Sequence, residues 1–133
     1  MGEVRTKVRL FNNADANAAA EGRLSPKKVR VVEADAMVDT GALRSCIPAP
    51  LLERLGLRPY DKVTVELADG RKNEVGIADG VRFEIMQRRS SDDALVLGDE
   101  VLIGQTLLEK MDLLCARQRL VPAHPEGVVN KLK

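Results

Sequence analysis

Aromatic residues are almost missing from this sequence. Phe11, Tyr60 and Phe83 are the full set among 133 residues, and tryptophan is absent. Without stacking platforms a single-stranded nucleic acid has little to bind. Charge of one sign is lacking too: 21 basic side chains face 20 acidic ones, a formal net charge of +1. That balance leaves no electrostatic footprint for nucleic acid or an anionic membrane surface, so neither is expected as a partner. Histidine occurs once, at His124, and cysteine twice, at Cys46 and Cys115. Two cysteines make no disulfide framework and one histidine cannot anchor a His/Cys zinc cluster. The expectation is two reduced core thiols, no metal and no cofactor. No run approaches the roughly 18 apolar residues of a membrane span. The opening Met1–Leu10 carries Arg5, Lys7 and Arg9 and lacks the apolar centre of a signal peptide. A cytoplasmic protein is expected.

What is present is alternation. With 44% hydrophobic residues the chain has material for one core, and its length favours one domain over residues 1–133. The core is expected over about residues 29–122, after a polar connection at 12–25 and before a tail at 123–133. Val4, Thr6, Val8 and Leu10 alternate with Arg5, Lys7 and Arg9, the period of a half-buried strand. The alanine-rich run 14–21 has helical character, weakened by Asn13, Asp15 and Asn17. A second strand is expected at Lys28–Glu33, a turn near Ala34-Asp35, and then Ala36-Met37-Val38. Pro48 and Pro50 open a short helix at 51–55, which Gly56 stops.

Val63, Val65 and Leu67 alternate again and end at Ala68-Asp69-Gly70, a hairpin turn. The returning strand is expected to reach Ile77. A second turn at Asp79-Gly80 would lead into Val81, Phe83 and Ile85, with a polar loop at 88–93 in which Arg88 and Arg89 are solvated. Two short strands follow at 94–97 and 101–103, then a helix at 105–111 and a last strand at Leu120-Val121. Many short strands with few helices predict a mostly β domain of closed, barrel-like shape.

One tripeptide carries chemistry. Asp39-Thr40-Gly41 follows the apolar pair Met37-Val38. A carboxylate ending a buried strand meets a low dielectric, where its pKa is readily moved. Thr40 is short and bears a hydroxyl, and Gly41 permits a tight turn and close approach of a ligand. Cys46 is read as a small packed hydrophobe, because no histidine lies near it in sequence to make it a nucleophile.

The order of motifs resembles a known family. Met37-Val38-Asp39-Thr40-Gly41-Ala42, the helix from Pro50 to Leu57, the hairpin, then Leu102-Ile103-Gly104 before a short helix and Gln118–Pro122 resemble the retropepsin-like aspartic proteases. The likeness is strongest to small prokaryotic members. It implies an aspartic endopeptidase with Asp39 as the catalytic carboxylate. Two carboxylates must share one proton, because like charges so close cannot both ionise. The chain holds a single Asp-Thr-Gly, so the resemblance implies a two-fold homodimer with Asp39 facing its own copy. It further implies that Thr40 locks the two active-site loops together and that Gly41 and Ala42 offer backbone to an extended peptide substrate. Ala68, Asp69 and Gly70 would then be the flap that closes over it. A second reading uses the same fold as a dimerisation or peptide-binding module with little catalysis.

The sequence departs from viral members at two places. They carry an acidic residue after Asp-Thr-Gly-Ala and a basic one after the second glycine motif, where this chain has Leu43 and Gln105. With both halves of that ion pair missing, the loop needs another support. Arg44 is expected as a solvated turn residue.

Overall fold

A computed structural model of the chain describes residues 3–132. β1 (Val4–Asn12) and β2 (Val31–Val38) pair antiparallel, Val4 opposite Val38 and Phe11 opposite Val31. Between them lie α1 (Asn13–Ala20) and a 3-10 turn at Pro26–Lys28. β3 (Ser45–Ile47), α2 (Ala49–Arg54), β4 (Asp61–Glu66), β5 (Lys72–Ile85) and β6 (Arg88–Val96) follow. β7 (Val101–Ile103), α3 (Gln105–Met111), β8 (Leu113–Ala116) and β9 (Arg119–Pro122) complete the order.

The sheet runs β1-β2-β7-β3-β6-β5-β4, and β5 also pairs with β1. Six strands therefore close into a barrel, and β4 stands outside it as the outer arm of the β4–β5 hairpin. Closure removes edges that would otherwise invite pairing with other chains. β8 and β9 form a separate two-stranded sheet. The mostly β, barrel-like architecture is the one the alternating pattern predicts.

The alternation in β1 buries Val8 and Leu10 and leaves Arg5, Lys7 and Arg9 outside. Those residues join Val32, Ala36, Val81, Phe83, Ile85, Ala94, Val101 and Ile103 in one core, capped by Leu52 and Leu55 at α2 and Leu107, Leu108 and Met111 from α3. Phe83 and Leu10, opposite one another on β5 and β1, are wholly buried.

Several expectations are corrected. β2 passes straight through Ala34-Asp35, because Asp35 faces outward and accepts from Arg5 Nε at 2.7 Å. The polar connection at 12–25 holds a two-turn helix. Its alanines favour a helix that Asn13, Asp15 and Asn17 oppose, and Asn12 caps it by accepting from the Asp15 amide at 3.0 Å. The same buried Asn12 donates to Leu55 O at 2.8 Å, and Arg82 reaches Asn13 and Asn17. Asp79-Gly80 is no turn. β5 continues through it with a bulge between Ala78 and Val81, which the positive φ of Gly80 (82°) accommodates.

The segment 88–93 is strand, not loop, and the turn before it is Met86-Gln87, with φ of 51° and 66°. Both residues adopt the left-handed conformation of a two-residue hairpin without the Asn or Gly that advertises it. Arg117-Gln118 repeat that turn (φ 52° and 64°) between β8 and β9, so β8 has no signal in the sequence. β3 is also unanticipated; three residues are too few for a period to show.

Arg88 is corrected as well. It is buried at 8% exposure and donates to the carbonyls of Met111 (3.0 Å) and Asp112 (2.9 Å), and to His124 O. Arg89 remains exposed.

Phe83 fills the barrel against Leu10. Phe83→Ala is expected to cost about 3–5 kcal/mol, the range for a large aromatic emptied from a packed core, read as a lower urea midpoint with an unchanged slope.

Candidate active site

Asp39 follows the last residue of β2, and its amide still pairs with Ile103 O of β7 at 2.9 Å. The backbone then turns sharply. Gly41 N donates to the Asp39 carboxylate at 2.9 Å, and Ala42 N to Asp39 O at 3.2 Å. A Cβ on residue 41 would lie 3.2 Å from Asp39 Oδ1, so glycine keeps that carboxylate-to-amide bond uncrowded. Asp39 is half-buried and Thr40 and Gly41 are exposed. The deep burial expected of the carboxylate is absent in the single chain, because β2 ends at the surface of the barrel.

The far side of the loop is held by α3. Gln105 N donates to Ala42 O at 2.8 Å and Thr106 N to Leu43 O at 3.1 Å. Gly104 N donates to the Ser45 hydroxyl at 3.0 Å, and Ser45 is fully buried. Gly104, at the N-cap of α3, provides no side-chain cap. The free amides at the start of a helix need acceptors, and the loop carbonyls fill that need. This backbone exchange supports the loop, at which Leu43 and Gln105 form no ion pair. Arg44 is exposed, as expected.

Register shows which side chains surround Asp39. Met37 lies opposite Leu102, Leu102 opposite Cys46, Cys46 opposite Leu95, and Leu95 opposite Ile77. Residues directly paired across a sheet share a face, so these five form an apolar row across five strands. Asp39, two residues beyond Met37, is on the same face. The opposite face carries Ala36, Val38, Ile47, Val101 and Ile103, all buried in the core. Met37, Cys46 and Leu102 remain partly accessible while Leu95 and Ile77 are buried, so the row is a surface at its end beside the carboxylate. Burial and the Asp39 charge push the Cys46 thiol above its ordinary pKa, so it stays a neutral thiol here. Sequence reading missed Leu102 and Cys46 as neighbours of Asp39, because the pairing of β7 with β2 and then of β3 with β7 places them there.

The hairpin tip is where the turn signal put it. Leu67 N donates to Arg71 O at 2.7 Å and Gly70 N to Leu67 O at 2.9 Å, with Gly70 at φ 86°. Ala68, Asp69 and Gly70 are exposed, and the Asp69 carboxylate turns back onto Arg71 Nε at 2.7 Å. Among the described residues no hydrogen bond or ion pair joins this tip to the Asp39 loop. Asp39, Thr40, Gly41 and Ala42 are thus assembled by one turn, and 68–70 sit on a separate arm. Among the described residues no group of three or more His, Cys, Asp or Glu is placed to hold a metal ion.

Gly104 approaches the loop backbone closely. A Cβ there would lie 2.6 Å from Arg44 C and O and 2.9 Å from Leu43 O. Backbone cannot yield as a flexible side chain does, so Gly104→Ala is expected to cost about 1–3 kcal/mol by overpacking. Faster amide exchange at Gln105 and Thr106 than at β5 would show that the loop junction takes the strain.

No curated protein sequence matches the chain. Among solved structures it is similar to the EIAV protease complexed with the inhibitor HBY-793, with a TM-score of 0.59 and 17% identity over 82% of this chain and 88% of that one. It is also similar to the simian foamy virus (mac) protease, with a TM-score of 0.50 and 16% identity over 78% of this chain and 90% of that one. At such identities the likeness is one of fold. Residues 27–110 match the model of the family described as "gag-polyprotein putative aspartyl protease". That match spans β2, the Asp39 loop, the hairpin and nearly all of α3, more than half of the chain, and the chain accordingly belongs to this family of retropepsin-like aspartyl proteases.

Proposed function

We propose that the chain is one half of a homodimeric aspartic endopeptidase, with Asp39 and the Asp39 of a second copy as its catalytic pair. The observation that carries this reading is the placement of the Asp39 carboxylate. It is fixed by a main-chain turn at the end of β2, on the face that carries the apolar row Met37–Leu102–Cys46.

One carboxylate alone does not supply the chemistry. Peptide hydrolysis here needs a base to activate water and an acid to polarise the scissile carbonyl. Two facing carboxylates that share a proton provide both, and they titrate as a pair. The exposed position of Thr40 and Gly41 on a single chain suits a loop that meets its copy. Among the described residues the Thr40 hydroxyl makes no hydrogen bond, which leaves it available to tie the two loops across the two-fold axis. Gly41 presents its carbonyl to an extended peptide, while both backbone groups of Ala42 are spent within the loop and leave its small side chain beside the substrate. The arm tipped by Ala68, Asp69 and Gly70 closes over that peptide and excludes water. The apolar row beside Asp39 would contact substrate side chains.

The decisive comparison is wild type against Asp39→Asn on a diverse peptide mixture between about pH 4 and 7. Wild type is expected to cleave, with inhibition by a statine-type transition-state analogue, and the variant to lose at least about 100-fold, the lower end of general acid–base contributions. Equal rates would remove Asp39 from the mechanism. Cleavage by neither protein would favour a peptide-binding module. In sedimentation equilibrium, Thr40→Ala is expected to weaken the dimer about 30-fold, the equivalent of two symmetric hydrogen bonds of about 1 kcal/mol each.

A further inference from the structure

Beyond the Asp39 loop, the largest concentration of polar contacts gathers at the other end of α3. Met111 ends the helix, and Asp112 caps it in the left-handed conformation, φ 56°. Arg88, buried and projecting from β6, spends its guanidinium on three carbonyls, those of Met111, Asp112 and His124. The Asp112 carboxylate, 4.0 Å from Arg88 Nη1, takes two further donors. His124 Nδ1 lies 2.5 Å from Oδ2, and Val129 N donates to the same oxygen at 3.1 Å. Residues 123–132 form no strand or helix. A groove of about 560 Å³ separates part of this tail from the body, with Gln105, Glu109, Leu113 and Leu114 along the body side.

These contacts divide into two kinds. Arg88 to three carbonyls is indifferent to pH across the range in which the protein folds, because guanidinium stays charged and carbonyls do not titrate. The bonds to the Asp112 carboxylate are held together by its negative charge. We propose that Arg88, Asp112 and His124 form a proton-operated latch, with Arg88 as the fixed hinge at His124 and the Asp112 carboxylate as the catch for the tail beyond it. In acid the catch opens, residues 125–132 leave the body, and the flank of α3 nearest the Asp39 loop is uncovered at the half-buried Gln105.

The direction follows from charge. His124, the Val129 amide and Arg88 hold the Asp112 carboxyl below its ordinary range. A group with a lowered pKa in the closed form stabilises that form above the ordinary carboxylate value of about 4, and the effect is lost as pH falls through the lowered value. The other charged groups at the groove are Glu109 from α3 and Lys131 from the tail.

The test is the backbone dynamics of the uniformly ¹⁵N-labelled full chain between about pH 7 and 2. Order parameters for residues 128–132 are expected near those of rigid backbone (about 0.85) at neutral pH and below about 0.6 at the acid end. Amides of β5 and β6 should remain ordered throughout. Asp112→Asn preserves the left-handed cap, which asparagine tolerates, and should leave the tail mobile at every pH. His124→Ala should move the release to higher pH. A tail rigid at the acid end, a tail mobile at neutral pH, or release only together with β5 and β6 would each overturn the latch. Release at an unchanged pH in His124→Ala would do the same. None of these outcomes depends on peptide cleavage, so the latch and the proposed activity stand or fall separately.

Discussion

Four consecutive residues, Ile103 to Thr106, hold the whole turn that carries Asp39. Ile103 O takes the Asp39 amide, Gly104 N reaches Ser45, and the first two amides of α3 take Ala42 O and Leu43 O. Each group in this exchange would otherwise be a liability. Amides at a helix start have no partner within the helix, and carbonyls in a tight loop have none within the loop. Set against each other, they satisfy both accounts without a side-chain cap. The glycine at the centre is required because the two backbones come too close for any Cβ. Placing a carboxylate in this way uses main chain and one buried hydroxyl, that of Ser45, so side chains such as Leu43 and Gln105 are free to vary while the turn keeps its shape.

Much of the fold was legible in the residues. The alternation in β1, the helix stop at Gly56, the hairpin tip at Asp69-Gly70 and the limits of α3 all follow local rules, and local rules survive in a barrel. Misreadings arose where a distant contact decided. Asp35 reads as a turn residue until Arg5 is known to receive it across the sheet. Arg88 reads as solvated because its partners are carbonyls from α3 and the tail, which no spacing announces. The turns at Met86-Gln87 and Arg117-Gln118 use left-handed residues without glycine or asparagine, so their strands merged into apparent loops. The candidate site divided the same way. Asp39 announced itself through its tripeptide, whereas Leu102 and Cys46 became its neighbours only through the registers of two three-residue strands, β7 and β3.

The two ends of α3 serve different kinds of contact. Its first turn is spent on the Asp39 loop and its last on Arg88 and the tail, and the buried face between them, Leu107, Leu108 and Met111, belongs to the core. A seven-residue helix is too short to be stable alone, so its position is set by these three sets of contacts. A disturbance at one end has little helix over which to dissipate before it meets the other.

β5 has fourteen residues and two mechanical identities. From Val81 to Ile85 it is locked between β1 and β6 within the closed barrel, and from Lys72 to Val75 it has β4 as its one strand neighbour. Gly76 to Ala78 already pair with β6, so the clamp begins at Gly76 and the bulge at Asp79-Gly80 lies inside it. An engineer would recognise a cantilever: a beam clamped along one part and free along the other. Load applied at Asp69-Gly70 bends the arm outside Gly76 and leaves the clamped part, with Phe83 inside it, undisturbed.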